Sequence, residues 1–520
     1  MNTVKVLFFL VIILGVAALF RFSFLSSIPP GIHPDAAANG IDAWDALVHN
    51  NRQVFYEGNS GREGLFINFI SYSFDWFGPS LVAYKLPGCL IGLLSVLGMY
   101  FLGKEITQKQ YGGLIASFLM ATSFWMVIFD RTGFRATLSV CSVIWVSFFL
   151  LRAFRTTQWH DYALAGIFLG VGLHSYTSFR FMPLVVVAAY GYALWAWRKL
   201  KNASWLHIFQ LHKYFILTVV IALFIFSPLL QYYLVHPETF MGRAHEVSVF
   251  TQSETSKHLW QSTTSNLLFF NISGDPNWRH NVARLPALDT LLGAFFLAGV
   301  AIVGYSLIKK RESAPDTSTQ TRVANFFMLC LLGMMIIPAA ITYSPGGIPH
   351  ALRIINTAPA VYLLVTIAAV TIYERVKNSG VVQRPILLMS ITLLATYLVT
   401  FNAVLYFMRW GDNGQVAHEF SEDYTHVSDY IKDLSATGST VLLVSDSSEL
   451  QFFLLAVKNV IITSKFEAVE FETSRPDVVV FSNFGQNNIR DREILITQGM
   501  QMSSGLTFGR GGHTVVVFSR

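Results

Sequence analysis

A polytopic α-helical membrane protein of about eleven spans, ending in a small soluble α/β domain, is the fold class predicted by the sequence. Three observations predict it. Of the 520 residues 53% are hydrophobic and 13% charged, with a mean hydropathy of +0.48, well outside the range of a soluble domain. Long apolar runs recur along the first four fifths of the chain. From Trp410 the composition then turns abruptly soluble.

The apolar runs centre near Leu14, Leu93, Leu119, Trp145, Phe168, Val187, Leu223, Leu297, Leu332, Leu363 and Thr396, each compatible with roughly 20 residues of spanning helix. The first run is followed by Arg21-Phe22-Ser23 rather than a small-residue cleavage site, which predicts an uncleaved span. Cations gather on alternate links: Lys104 and Lys109, Arg152 and Arg155, Arg198 to Lys201, Lys309 to Arg311 with Arg322, and Arg375 to Arg384. By the positive-inside rule these links are cytoplasmic, as is the N-terminus, and the C-terminus is extracytoplasmic. A bacterial-type inner membrane is the expected location. The formal charge of +6 forms no basic stripe, which argues against a nucleic-acid partner. Cys89, Cys141 and Cys330 all lie in apolar runs, so no disulfide framework is available.

The expected domains are a transmembrane domain over 1–409 and a soluble extracytoplasmic domain over 410–520. Two extracytoplasmic loops, 25–80 and 236–286, are too long for simple connectors. In the first, Asp35 to His49 reads as an amphipathic helix along the membrane surface, with Asp35, Asn39 and Asp42 on one face. In the soluble domain, Tyr424 to Leu434 and Asp446 to Val457 read as helices, and Thr440 to Val444, Asp477 to Phe481 and His513 to Phe518 as strands. Ser313 to Thr321 reads as a low-complexity cytoplasmic loop.

Candidate site residues stand out by breaking the topology rule. Arg131, Arg135, Arg180 and Arg353 sit at outer ends of spans, with Lys85 slightly deeper. Each alone could snorkel to the interface. Together they offer donors suited to a lipid-linked phosphate at the outer leaflet. Asp35, beside Pro34, is either a helix N-cap or an exposed general base. Glu63, between Arg62 and Gly64, is a second acidic candidate, with a salt bridge to Arg62 as its structural alternative. The cluster Asp275, Asn277, Arg279 and His280 suits an acceptor or sugar subsite, or a loop knot bonded to itself. His33, His280 and His350 could in principle share a metal, but they lie on three loops without HxxxH-type spacing, so no metal ligands are assigned.

The motifs His33-Pro34-Asp35, Gly61 to Phe66, Phe77-Gly78-Pro79-Ser80, Lys85-Leu86-Pro87, Arg131 to Arg135, His174 to Arg180, Gly274 to Pro286 and Pro349 to Arg353 together resemble the GT-C membrane glycosyltransferases. Bacterial relatives of the dolichyl-phosphate-mannose protein mannosyltransferases and of the lipid A aminoarabinose transferase are the nearest likeness. The resemblance covers most of residues 1–410 and implies a GT-C-like fold. It implies an inverting transfer of a sugar, hexosyl or pentosyl, from a polyprenyl-phosphate donor to a protein, lipid or glycan hydroxyl, in cell-envelope chemistry, with no firm cofactor. Asp35 would then be the base and Glu63 a further catalytic candidate. Lys85, Arg131, Arg135, Tyr176, Arg180, His350 and Arg353 would hold the donor phosphate, and His33 and Asp42 would join the acceptor subsite. Where many relatives carry an Asp-Glu pair, Asp35 is followed by Ala36.

Two other functions compete. A transporter or flippase of lipid-linked precursors would concentrate polar groups near the bilayer midplane in two related halves, whereas the cations here sit mainly at outer ends. A receptor or assembly factor would depend on the 410–520 domain alone.

Overall fold

The computed structural model describes residues 2–200, 204–309, 316–344, 347–380, 383–466, 475–482, 489–502, 505–510 and 512–519. Lys201, Lys310, Arg311 and residues 313–315 of the expected loops lie outside these. The chain forms two compact units.

The first unit comprises Met1–Ser23, Val54–Phe66 and Gly88–Tyr406. All eleven expected centres fall in helix. Among the described residues nine helices are long and apolar enough to cross a membrane, and a bent pair, Gln110–Thr122 with Phe124–Thr132, makes up to ten. The difference from eleven is the run at Phe168. Its helix, Trp159–Leu173, has 15 residues and reaches about 22 Å against a hydrocarbon core of about 30 Å. Asp316 onward, expected in a loop, instead starts the helix Asp316–Ala340.

The helix Ala136–Thr156 is the centre of this unit, with 94% of its apolar window buried, whereas Phe215–Val235 and Arg384–Trp410 bury 17% and 11% of theirs. Side chains such as Phe224 and Leu393 therefore face outward, which suits a hydrocarbon surrounding. The short helix Trp159–Leu173 packs on Phe215–Val235 through Gly166 and Gly170. A Cβ on Gly166 would lie 2.7 Å from the Thr218 carbonyl oxygen, so only glycine permits this approach.

The bend of 58° at Ser123 releases helix carbonyls that need donors. Arg21, at the end of the first helix, supplies them: its Nη1 donates to the Ala121 carbonyl at 3.1 Å and its Nη2 to that of Met120 at 3.4 Å. Its Nε and Nη2 also meet Asp130 Oδ2 at 2.9 and 2.7 Å, and neither side chain is more than 1% exposed. Gly92 leaves the room, since a Cβ there would lie 2.4 Å from Asp130 Oδ2. Ser123 Oγ accepts from the Met126 amide and caps the second half of the bend.

The second unit comprises Phe24–Gln53, Ile67–Pro87 and Phe407–Arg520. The α/β segment expected from Trp410 thus shares a unit with much of the first loop. Strands β3 (Val441–Val444), β4 (Val460–Thr463), β5 (Val478–Phe481), β6 (Gln501–Met502), β7 (Leu506–Phe508) and β8 (His513–Ser519) form one sheet, numbered after a hairpin β1–β2 described below. Its order is β4-β3-β5-β8-β6, with β7 also on β8. The first three strands are parallel and β8 antiparallel. Leu443 and Val480 point into one core layer with Val427 and Ile431 of the helix Glu422–Ala436, and Leu442 and Val479 into another with Leu495. Alternation along strands buried on both faces explains why each reads as a continuous apolar run.

The loop helix, Pro34–Val48, matches the expected one within a residue. It is not simply a surface element, because Gly40 lies against the Phe452 ring of the helix Ser448–Phe453. Phe452 also meets Tyr84 at 5.6 Å and Phe74 at 6.4 Å between centroids.

Breaking a buried ion pair leaves an uncompensated charge and costs about 3–5 kcal/mol. Asp130→Ala is therefore expected to lower the detergent unfolding midpoint sharply, and the double variant Arg21→Met/Asp130→Leu to recover much of the loss. Equal destabilisation by single and double variants in a thermal melt would show that the pair does not act as a unit.

Candidate functional site

Most candidate residues of the transmembrane unit fall into two clusters. The first is built on the hairpin β1 (Phe55–Tyr56) and β2 (Arg62–Glu63), paired antiparallel with Phe55 opposite Glu63. Arg62 does not bridge to Glu63 as the sequence allowed. Its Nε donates to the Gly58 carbonyl at 3.0 Å, closing the turn. Glu63 is 2% exposed and accepts from Arg135 Nη1 at 2.5 Å and from Arg180 Nη2 at 3.1 Å. Arg135 precedes the central helix Ala136–Thr156, and Arg180 lies in the short 3-10 helix Thr177–Phe181. Arg180 also donates to Tyr233 Oη at 3.0 Å and to the Phe240 carbonyl, with its guanidinium 4.5 Å from the Phe240 ring centroid. One carboxylate thus gathers two guanidinium groups, leaving a net positive charge at the ends of spanning helices.

The second cluster joins the two other loops. Asp275 Oδ1 accepts from the Asn277 amide at 2.8 Å, and Asn277 Oδ1 from the Arg279 amide at 2.8 Å. The Gly274 amide donates to the Arg284 carbonyl and the Arg284 amide to that of Asp275, so the segment is a self-bonded knot. Asp275 Oδ2 accepts from the Ala351 amide at 2.7 Å and meets His280 Nδ1 at 3.0 Å and His350 Nδ1 at 3.9 Å. The His280 and His350 rings are 5.0 Å apart. Two of the three histidines that the sequence set apart therefore meet, and Asp275 is the third group beside them. Burial raises the Asp275 carboxyl, but His280, then His350 and the Asn277 amide, outweigh it and the net direction is down. Burial, and then the Arg353 charge, hold the His350 imidazole well below its ordinary value, so it is neutral at pH 7. Arg353 itself donates from Nη2 to Ser344 Oγ at 3.2 Å.

Arg131 and Lys85, expected on a phosphate, each donate to backbone carbonyls. Arg131 is fully buried, donates to the Phe20 carbonyl at 2.8 Å and lies 5.0 Å from the Tyr406 ring centroid. Within the second unit, Lys85 Nζ donates to the Leu25 and Pro29 carbonyls at 3.1 and 2.9 Å. In an apolar interior a cation takes whatever oxygen is nearest, and here helix and loop carbonyls are nearest. Tyr176 is buried at the start of the 3-10 helix that carries Arg180.

In the second unit the N-cap of the loop helix is His33, not Asp35: the Asp35 amide donates to His33 Nδ1 at 3.2 Å, and Pro34 occupies the first turn. The Asp35 carboxylate is therefore released from capping and is 43% exposed, 3.8 Å from His33 Nδ1. Asp42 is half-buried and Asn39 buried on the same helix.

A family model described as dolichyl-phosphate-mannose-protein mannosyltransferase matches residues 65–232. No curated protein matches the chain by sequence. Among solved structures, ArnT from Cupriavidus metallidurans bound to undecaprenyl phosphate superposes with a TM-score of 0.50 at 15% identity, covering 100% of this chain and 98% of that one. Its apo state gives a TM-score of 0.51 at 13% identity over 99% and 98%. The chain has the GT-C fold of membrane glycosyltransferases. The mycobacterial arabinofuranosyltransferase AftD is also matched, at 12% identity and a TM-score of 0.44, over 100% of this chain and 42% of that one.

Within this GT-C fold the segment matched by the family model contains Lys85, Arg131, Arg135, Tyr176 and Arg180. Asp35, Glu63 and the Asp275–His350 cluster lie outside it. Sequence reasoning missed the Arg21–Asp130 pair and the partners of Glu63. The available signal was opposite charges inside two apolar runs, which rarely occur in spans without a partner.

Glu63→Ala is expected to destabilise the transmembrane unit by about 3–5 kcal/mol, because Arg135 would stay buried without its carboxylate. Arg180→Ala should cost less, since Arg180 is 19% exposed and Arg135 keeps Glu63. Chemical unfolding in detergent checks the order of the two variants.

Proposed function

We propose that this GT-C chain is an inverting glycosyltransferase, moving a sugar from a polyprenyl-phosphate donor to an acceptor hydroxyl at the extracytoplasmic face of a bacterial-type membrane. The observation that carries the reading is the convergence of Arg135 and Arg180 on Glu63 at the ends of spanning helices. A fold shared with an ArnT structure that holds undecaprenyl phosphate supports a lipid-linked donor. The alternating cationic links support an N-terminus inside and a C-terminus outside.

In this reading Arg135 and Arg180, with Arg353, His350 and Tyr176, bind the donor phosphate and neutralise the charge that grows on it as the glycosidic bond breaks. Glu63 is the counter-ion that orients the two arginines. It is not a base, because both of its oxygens already accept from guanidinium groups. Lys85 and Arg131 act as positioning residues that fix the loop and the first helix. Asp35 accepts the proton of the acceptor hydroxyl as its oxygen attacks the anomeric carbon from the face opposite the phosphate, which inverts the configuration. A carboxylate in the first turn of a helix is favoured by the helix dipole. His33, Asp42, Asn277 and Arg279 supply hydrogen bonds to acceptor or sugar hydroxyls.

Two measurements in proteoliposomes test the assignment, with a polyprenyl-phosphate sugar as donor and a panel of hydroxyl acceptors. Asp35→Asn is expected to lose about 10²–10⁴ in turnover while donor binding persists; turnover like wild type would remove Asp35 from the mechanism. Arg180→Gln is expected to weaken donor binding by about tenfold or more. Unchanged donor affinity in that variant would end the phosphate assignment.

A further inference from the structure

We infer that Asp275, His280 and His350 form a binding site for one divalent transition-metal ion, Zn2+ by preference. The inference rests on side-chain geometry and does not depend on the proposed transfer reaction. One ligand atom from each of the three residues lies within 4.8 Å of the other two, so small side-chain rotations bring all three around a single ion. Two imidazoles and a carboxylate are a donor set that suits zinc, with the fourth tetrahedral position left to water or another oxygen ligand.

The three side chains are fixed before any ion arrives. Asp275 is tied through both oxygens to backbone amides, those of Asn277 and Ala351. The His280 ring stacks on Phe129 at 5.6 Å and 19° and packs against Phe134 at 5.5 Å. Orientation of first-layer ligands by such outer contacts is what metal sites require. Two ring nitrogens there, His280 Nε2 and His350 Nδ1, are buried without a hydrogen-bond partner. Buried polar atoms are rarely left so, and a metal ion would satisfy a lone pair on each ring.

Metal identity follows from charge and ligand type. The site offers one carboxylate, and the Arg279 and Arg353 charges act on it, which disfavours Mg2+ and Ca2+, held chiefly by several oxygens. Nitrogen ligands favour Zn2+ or Co2+ under the same charge. The nitrogens that bind must carry no proton. Where His280 binds through Nε2, its Nδ1 keeps the hydrogen on Asp275 Oδ2; where it binds through Nδ1, that hydrogen moves to Nε2 or leaves to solvent.

The test uses the full chain purified in detergent, stripped with a chelator and re-equilibrated with Zn2+ or Co2+, with no turnover assay. Elemental analysis should return about one Zn2+ per chain, and Co2+ should give the visible absorption of a tetrahedral site. His280→Gln, His350→Gln and Asp275→Asn should each weaken binding by about tenfold or more, and Zn2+ should raise the unfolding midpoint of wild type but not of these variants. His350→Gln guards against misfolding, because that side chain is 18% exposed. Wild-type chain that retains no Zn2+, or binding that survives all three substitutions, would overturn the assignment.

Discussion

The Glu63 carboxylate, 2% exposed and shared by two guanidinium groups, is the interaction on which one end of the transmembrane unit depends. It joins the β1–β2 hairpin to the start of the central helix and to the 3-10 helix before the next span, and Arg180 extends the link to Tyr233 and Phe240. A buried carboxylate without its cations would be costly, and so would either arginine without the carboxylate. Each charge therefore constrains the others. The pair of arginines is left with more positive charge than Glu63 cancels, which is the property a phosphate-binding site needs.

The cations that break the positive-inside pattern differ in the partners they meet. Arg135 and Arg180 meet a carboxylate, whereas Arg131 and Lys85 meet backbone carbonyls and Arg353 meets Ser344. The distinction comes from what each finds nearby. Where a helix is bent or a loop leaves carbonyl groups unpaired, a buried cation satisfies them, as Arg21 does at the bend beside Ser123.

In the second unit the capping of the loop helix falls to His33 rather than to Asp35. His33 takes the capping position and Pro34 the first helical turn. The packing of Gly40 on Phe452 then ties the loop helix to the α/β layer, giving that layer a structural role within its own unit.

The class of fold, the eleven apolar helical centres, the loop helix to within one residue, and strands β3, β5 and β8 were legible in the sequence, whereas the helices Leu65–Phe77, Pro237–Glu246 and Thr255–Leu268 lie in segments read as loops. The legible elements follow from local signals, hydropathy over a span and alternation along a strand, which need no partner. The sequence was weaker in two places: β4, as short as β3 and β5, was not read as a strand, and the run at Phe168, read as a span, forms a helix of fifteen residues that is too short to be one. Tertiary structure alone decided which charges pair. Arg21 and Asp130 lie 109 residues apart and Glu63 and Arg135 lie 72 apart, and no spacing rule reaches that far. The same holds for His280 and His350, which no short motif joins and which only the folding of two loops brings to Asp275. Burial then turns such meetings into strong constraints, because a charge or imidazole away from water must find its partner within the protein.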